Sequence, residues 1–228
     1  MKYIKKNQVP TLTLKAFNNL YKKGYDKMYP DINLVRIEKV FLKKKGLLLD
    51  FGCGPGQNGL HFLKAGYKVC FTDISDVLIR RLQKKKEIVK NKNFYKIVNT
   101  AKESNFFLEN KNKFNYIICM SVFNNFESKN IANFYLKNFY YILKKGGKLI
   151  IDSNLDNKHN YKKIKKNNKI YYLTNPNNKN LFKMFFPKTK NEFVSLIKKT
   201  GFKIKDVGYS NFKVFSNYEN EVLVSAEK

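Results

Sequence analysis

The chain of 228 residues reads as an α/β protein, a mostly parallel sheet with helices on both faces. Three observations predict this. Apolar runs of strand length recur near residues 47–51, 67–73, 94–98, 114–120 and 148–152, and the stretches between them carry helical spacing. The first run ends on Asp50 and passes through Gly52, Gly54 and Gly56 into a segment that can be helical. The second ends on Asp73, so two strands each bring a carboxylate to the edge where open sheets of this kind bind ligands.

In chain order, residues 1–10 are expected to be an arm. Thr11 to Lys27 predicts a helix with Leu14, Phe17, Leu20 and Tyr21 near one face, weakened toward its end by Gly24. Pro30-Asp31 breaks the chain, and Asp31 can cap a second helix from Ile32 to about Lys43. Leu47-Leu48-Leu49-Asp50-Phe51 is then a strand, and the glycines after it remove every Cβ where the chain turns, so backbone N–H groups can approach a ligand. Gly54-Pro55-Gly56-Gln57-Asn58-Gly59 satisfies the dinucleotide pattern, but Asp50-Phe51-Gly52-Cys53 intervenes between the strand and the first glycine of that pattern. A carboxylate at Asp50 suits a cationic or zwitterionic ligand better than a diphosphate. Gly66 stops the following helix, and Asp73 lies 17 residues beyond Gly56, near the spacing at which an acid meets a ribose hydroxyl.

Leu49-Asp50-Phe51-Gly52-Cys53-Gly54-Pro55-Gly56 followed by Thr72-Asp73-Ile74-Ser75 resembles the Rossmann-like S-adenosylmethionine-dependent methyltransferases. Gln57-Asn58 and Phe62-Leu63 with Gly66-Tyr67 and Val69 resemble the branch holding the tellurite-resistance and small-molecule enzymes. The resemblance implies S-adenosyl-L-methionine as cofactor and a seven-stranded sheet closed by a C-terminal antiparallel hairpin. It implies cofactor contacts from Asp50, Phe51, Gly52, Cys53, Gly54, Gly56 and Asn58, with Asp50 facing the ammonium group of the methionine tail. Asp73 and Ile74 would meet the ribose, Asn99 or Thr100 the adenine, and Met120 the methionine end. Residues 1–44 would be a helical cap over the methyltransferase domain at 45–228, with Tyr25, Tyr29 and Arg36 as candidates to reach the acceptor.

Beyond Asp73, a helix is expected from Asp76 to about Val89 and a strand at Phe94–Val98. The acid that relatives carry after that strand is replaced by Asn99-Thr100-Ala101. Phe114 to Met120 forms a strand, followed by Asn124 and Asn125 where many relatives carry histidine; both can orient an acceptor by hydrogen bonds but cannot act as bases. A helix from Ser128 to Leu143 should stop at Lys144-Lys145-Gly146-Gly147 before a strand at Lys148–Asp152. The insert at 153–188 is rich in lysine and asparagine, with one candidate strand at Lys169–Leu173, and the resemblance implies a substrate lid. Its Phe182, Phe185 and Phe186 either line an acceptor pocket or cap the core. A helix at Asn191–Thr200 and strands at Phe202–Val207 and Asn220–Ala226 complete the chain.

Composition narrows function further. The formal charge of +29 comes from 46 Lys and Arg against 17 Asp and Glu, and arginine supplies only Arg36, Arg80 and Arg81. Arginine is the favoured bidentate partner of phosphate and bases, so an RNA acceptor ranks below a small molecule. The Asn/Asp-Pro-Pro-aromatic signature of base-amine methylators is also missing. Two histidines and the scattered Cys53, Cys70 and Cys119 offer neither a metal set nor a disulfide framework. No run approaches a membrane span and no signal peptide is legible, which makes the cytoplasm the expected location. Tyr25, Tyr29 and Asp152 are conceivable bases, but none is supported enough to be assigned as catalytic. Oligomeric state leaves no sequence signal.

Overall fold

The computed structural model describes residues 11–24, 26, 29–156, 162–166, 169–173, 181–214 and 217–228. Helices α1 (Thr11–Lys22) and α2 (Ile32–Phe41) precede the sheet. Asp31 caps α2, its carboxylate accepting from the backbone N–H groups of Asn33 and Leu34. The centre then alternates as expected: β1 (Leu47–Phe51), α3 (Gln57–Lys64), β2 (Lys68–Asp73), α4 (Asp76–Leu82), α5 (Lys86–Val89), β3 (Phe94–Asn99), α6 (Phe106–Glu109), β4 (Phe114–Cys119), α7 (Lys129–Ile142) and β5 (Leu143–Asn154). The insert holds β6 (Lys162–Lys166), β7 (Lys169–Leu173) and β8 (Leu181–Phe182), and α8 (Lys190–Lys198), β9 (Lys203–Val214) and β10 (Asn217–Glu227) end the chain.

Seven strands form one sheet in the order β3-β2-β1-β4-β5-β10-β9, and three more form a small sheet, β6-β7-β8. The first five are parallel, whereas β10 runs antiparallel to both β5 and β9. Parallel strands need both faces covered, and the alternation of side chains supplies two cores. Leu49, Phe51, Ile117 and Ile151 face α7 and α8 residues such as Phe139, Ile142 and Leu196. Leu48, Phe71, Ile118 and Ile150 face the other way, onto Leu34, Phe62 and Leu82. The order reverses at β1 and β4, which places a crevice beyond their C-terminal ends. Among the described residues no helix is long and apolar enough to cross a membrane.

Several boundaries differ from expectation for local reasons. The helix expected over 76–89 is two helices, because Ile88 lies six residues past Leu82, roughly 130° off the Leu78-Ile79-Leu82 face of a continuous helix; the break lets Ile88 bury fully. Gly146-Gly147 does not end a helix but lies within β5, where Gly147 exchanges contacts with the C-terminus: Lys228 N–H donates to its carbonyl at 2.9 Å. The strand β6 lies in the lysine- and asparagine-rich part of the insert, where no element is expected from the sequence. Residues 1–10, Tyr25 and the connector at 175–180 lie outside the described residues.

Candidate functional site

The ends of β1, β2 and β4 open into one cleft, floored by the glycine loop and roofed by α1. Gly52 has φ +66°, and a Cβ there would stand 2.4 Å from Val122 Cγ2, so only glycine lets the loop pass this close to the segment after β4. Gly56 caps α3 with φ +89°, and a Cβ there would meet Leu82 at 2.8 Å. Between them the loop is pinned to β2: Cys53 N–H donates to the Thr72 carbonyl at 2.9 Å, and Gly54 N–H to Asp73 Oδ2 at 3.3 Å. The other oxygen of Asp73 accepts from Ser75 N–H at 2.9 Å. Burial pushes the Asp73 carboxyl up to about 6, against the opposing pull of these N–H groups.

The cleft brings together Phe51, Gly52, Cys53, Gly54, Asn58, Asp73, Ile74, Thr100 and Met120 of the residues expected from sequence. Asp50, Gly56 and Asn99 do not line it. Asp50 departs most from expectation. Its carboxylate points behind the loop, where Oδ2 accepts from Gly59 N–H at 2.8 Å in the first turn of α3. Gly59 has no Cβ because one would sit 2.2 Å from Phe71 Cε1 and 2.8 Å from that same carboxylate oxygen. Asp50 therefore satisfies a helix start, a role that suits an acid, from a place behind the residues that line the cleft. Burial raises its carboxyl to about 7. Of the two candidates after β3, Thr100 enters the cleft, while the Asn99 side chain is spent on Asp76 at 2.6 Å and on the Ala101 N–H at 2.9 Å.

The segment after β4 is fixed by a second polar cluster. The Ser121 N–H donates to Asp152 Oδ1 at 2.6 Å, holding Ser121 at φ +59°. Asn124 donates to Ser153 Oγ and the carbonyls of Asn154 and Phe185, and accepts from Asn154 N–H. Its amide thus builds the loop, which leaves Asn125 as the asparagine of this segment that lines the cleft. Asp152 is equally structural and lies off the cleft.

Sequence reasoning expected a helical cap but did not name the residues by which it reaches the cleft. Thr13, Phe17 and Tyr21 of α1 line the cleft, as do Gln57, Phe126 and Tyr135. Phe17 and Tyr21 stack at 6.0 Å between ring centroids, and Phe126 and Tyr135 stack at 4.4 Å. The spacing of Phe17 and Tyr21 on one helix face was a legible signal; Tyr135 lay hidden among core aromatics. Tyr29 is 78% exposed and Arg36 is exposed, so neither reaches the cleft. Phe182, Phe185 and Phe186 cap packing clusters; no described residue of the insert lines the cleft, although Phe182 backs Phe17 edge-on at 5.6 Å. No metal-binding cluster occurs among the described residues.

A buried acid beside a side-chain-free loop, with apolar walls, fits an adenosine-bearing cofactor. The family model for the methyltransferase domain matches residues 28–207, and the chain belongs to that family: it is a Rossmann-like, S-adenosylmethionine-dependent methyltransferase. No curated protein matches it by sequence. Among solved structures it is similar to the 1,6-didemethyltoxoflavin-N1-methyltransferase of Burkholderia thailandensis, with 15% identity, a TM-score of 0.67, and 98% of this chain and 92% of that one covered. TehB from Haemophilus influenzae shares 19% identity at a TM-score of 0.62, covering 93% and 67%. A methyltransferase from Methanosarcina mazei shares 16% at 0.65, covering 84% and 96%. At these identities the likeness is one of fold.

Proposed function

We propose that the protein methylates an O or N atom of a small molecule in the cytoplasm, the acceptor entering beneath α1. The observation that carries this is the continuity of the cleft, which joins the Asp73 end to aromatic walls on α1 and after β4. In this reading Asp73 accepts from the ribose hydroxyls, Thr100 and Ile74 border the adenine, and Gly52, Cys53, Gly54 and Met120 border the methionine portion. Phe51 and Asn58 complete the cofactor wall, Asn58 being braced by the Asp31 N–H at 3.0 Å. When bound, S-adenosylmethionine supplies a methyl group already activated on a sulfonium, so the protein's task is to align the acceptor and exclude water. No lining residue is assigned as a general base.

Residues 1–44 act as the cap and 45–228 as the methyltransferase domain, with the insert at 153–188 bracing α1 through β8. Calorimetry with S-adenosylhomocysteine tests the cofactor assignment. Wild-type protein should bind, and D73N should bind at least about tenfold more weakly, the loss of one charge-assisted contact pair. Folded wild-type protein that gives no binding heat across accessible concentrations and temperatures overturns the reading. An RNA acceptor is the second reading, favoured by the exposed Lys162, Lys163, Lys165 and Lys166 of β6; salt-sensitive RNA binding that persists at physiological ionic strength would support it.

A further inference from the structure

Among the described residues two buried side-chain atoms lack a hydrogen-bond partner, Thr13 Oγ1 and Gln57 Oε1, and both belong to residues that line the cleft. Thr13 is 1% exposed, so its hydroxyl is held out of reach of bulk water. Buried polar groups are almost always paired, and an orphan at a cavity wall marks where a ligand's polar group completes the pair. One orphan comes from the first turns of α1 and the other from the start of α3, so they approach the cleft from two elements.

The charge of the lining is equally informative. Lysine and arginine make up 46 of the 228 residues, about a fifth of the chain. Yet among the described residues that line the cleft there is no lysine, arginine or histidine, and Asp73 is the one charged side chain. Lys85 touches the loop, but its ammonium is engaged by the Pro55 carbonyl at 2.9 Å and by Asp26 at 3.5 Å. A phosphate or other multiply charged anion would lose its hydration here with no side-chain cation among the described wall residues to replace it. The walls are instead Phe17, Tyr21, Phe126 and Tyr135, which offer ring faces and edges.

Resting on the small-molecule reading above, we infer that the acceptor is an uncharged, flat aromatic ring bearing an N–H or O–H group, and that Thr13 and Gln57 read that polar edge. Gln57 Oε1 accepts from the ring's donor, and the Thr13 hydroxyl donates to or accepts from its neighbour. The pair thus sets which ring edge is presented, and the aromatic walls set the plane of the ring.

The experiment screens a fragment set against the full-length protein saturated with S-adenosylhomocysteine, using ligand-observed NMR and competition. The set contains hydroxy- and amino-substituted quinolines, their carboxylated and phosphorylated counterparts, and saturated analogues of matched size. Binding should concentrate in the uncharged quinolines, which should exclude one another and bind at least tenfold more tightly than the phosphorylated members. T13V and Q57L should each weaken the best uncharged binder at least fivefold while S-adenosylhomocysteine affinity shifts less than twofold. Equal or tighter binding by phosphorylated or saturated members, or no binding in any class, overturns the inference. So does a loss confined to S-adenosylhomocysteine in T13V and Q57L, which would place both atoms at the cofactor end. Failure of wild-type protein to bind S-adenosylhomocysteine at all instead defeats the underlying functional reading.

Discussion

The buried Asp50 carboxylate accepts from Gly59 N–H, and its surroundings push it up to about 7 from an ordinary value of 3.8. Burial is the main cause, with the charge of Asp73 adding to it. Well below pH 4 the carboxyl is protonated whether the chain is folded or not, and the shift costs nothing. Between pH 4 and 7 the unfolded chain has released this proton and the folded chain keeps it, so this group's contribution to stability falls as pH rises. Above pH 7 the loss is complete. D50N preserves the acceptor for Gly59 and removes the charge. Chemical denaturation should find D50N more stable than wild type at pH 8 by about 2–4 kcal/mol, relative to any difference seen at pH 4. A gap that is the same at both pH values would show that ionisation of Asp50 is not what limits stability.

At the scale of elements, the loop between β1 and α3 works because it lies against the segment after β4. G52A has two costs: a Cβ at φ +66°, and its collision with Val122. The first is about 1–2 kcal/mol for a residue other than glycine, and the second is an overpacking cost of about 1–3 kcal/mol. Combining G52A with V122A separates them. The substitution at Gly52 should cost at least about 1 kcal/mol less in the V122A background, as measured by urea denaturation; identical costs would assign the whole effect to backbone strain. This strand-turn-helix was legible because each position is constrained locally, by a turn, a cap or an edge. The direction of Asp50 was also written there and was overlooked. Side chains alternate along a strand, so Asp50 shares the face of Leu48, which packs toward α3, and not that of Leu49 and Phe51. Strand β6 was illegible for the opposite reason: Lys162-Lys163-Ile164-Lys165-Lys166 has no apolar alternation to signal it. The inward face of α1 was misjudged because its most buried positions include the small Thr13 and Ala16, which permit close approach, while Leu14 is only partly buried.

Across the whole molecule, the roof is held from two distant parts of the chain. Ser75 Oγ donates to Asn18 Oδ1 at 2.5 Å, two residues after Asp73, and Phe182 of the insert packs on Phe17. Helix α1 is thereby coupled to the acid that the cofactor's sugar would meet, and also braced from outside by Tyr172, Phe182 and Met184. It is a single twelve-residue helix with a modest buried face, so most of its order must come from these contacts and not from its own propensity. A ligand that fills the space between α1 and the glycine loop adds contacts to both and should slow local opening of the roof. Hydrogen exchange with and without saturating S-adenosylhomocysteine measures this directly. Amides of residues 11–22 should exchange at least about tenfold more slowly in the complex, equivalent to about 1.4 kcal/mol of added protection. Amides of β4, whose Ile117 and Ile118 are already fully buried in the sheet, should change far less. Unaltered exchange in α1 alongside demonstrated binding would place the ligand wholly on the sheet side of the cleft and remove α1 from the site.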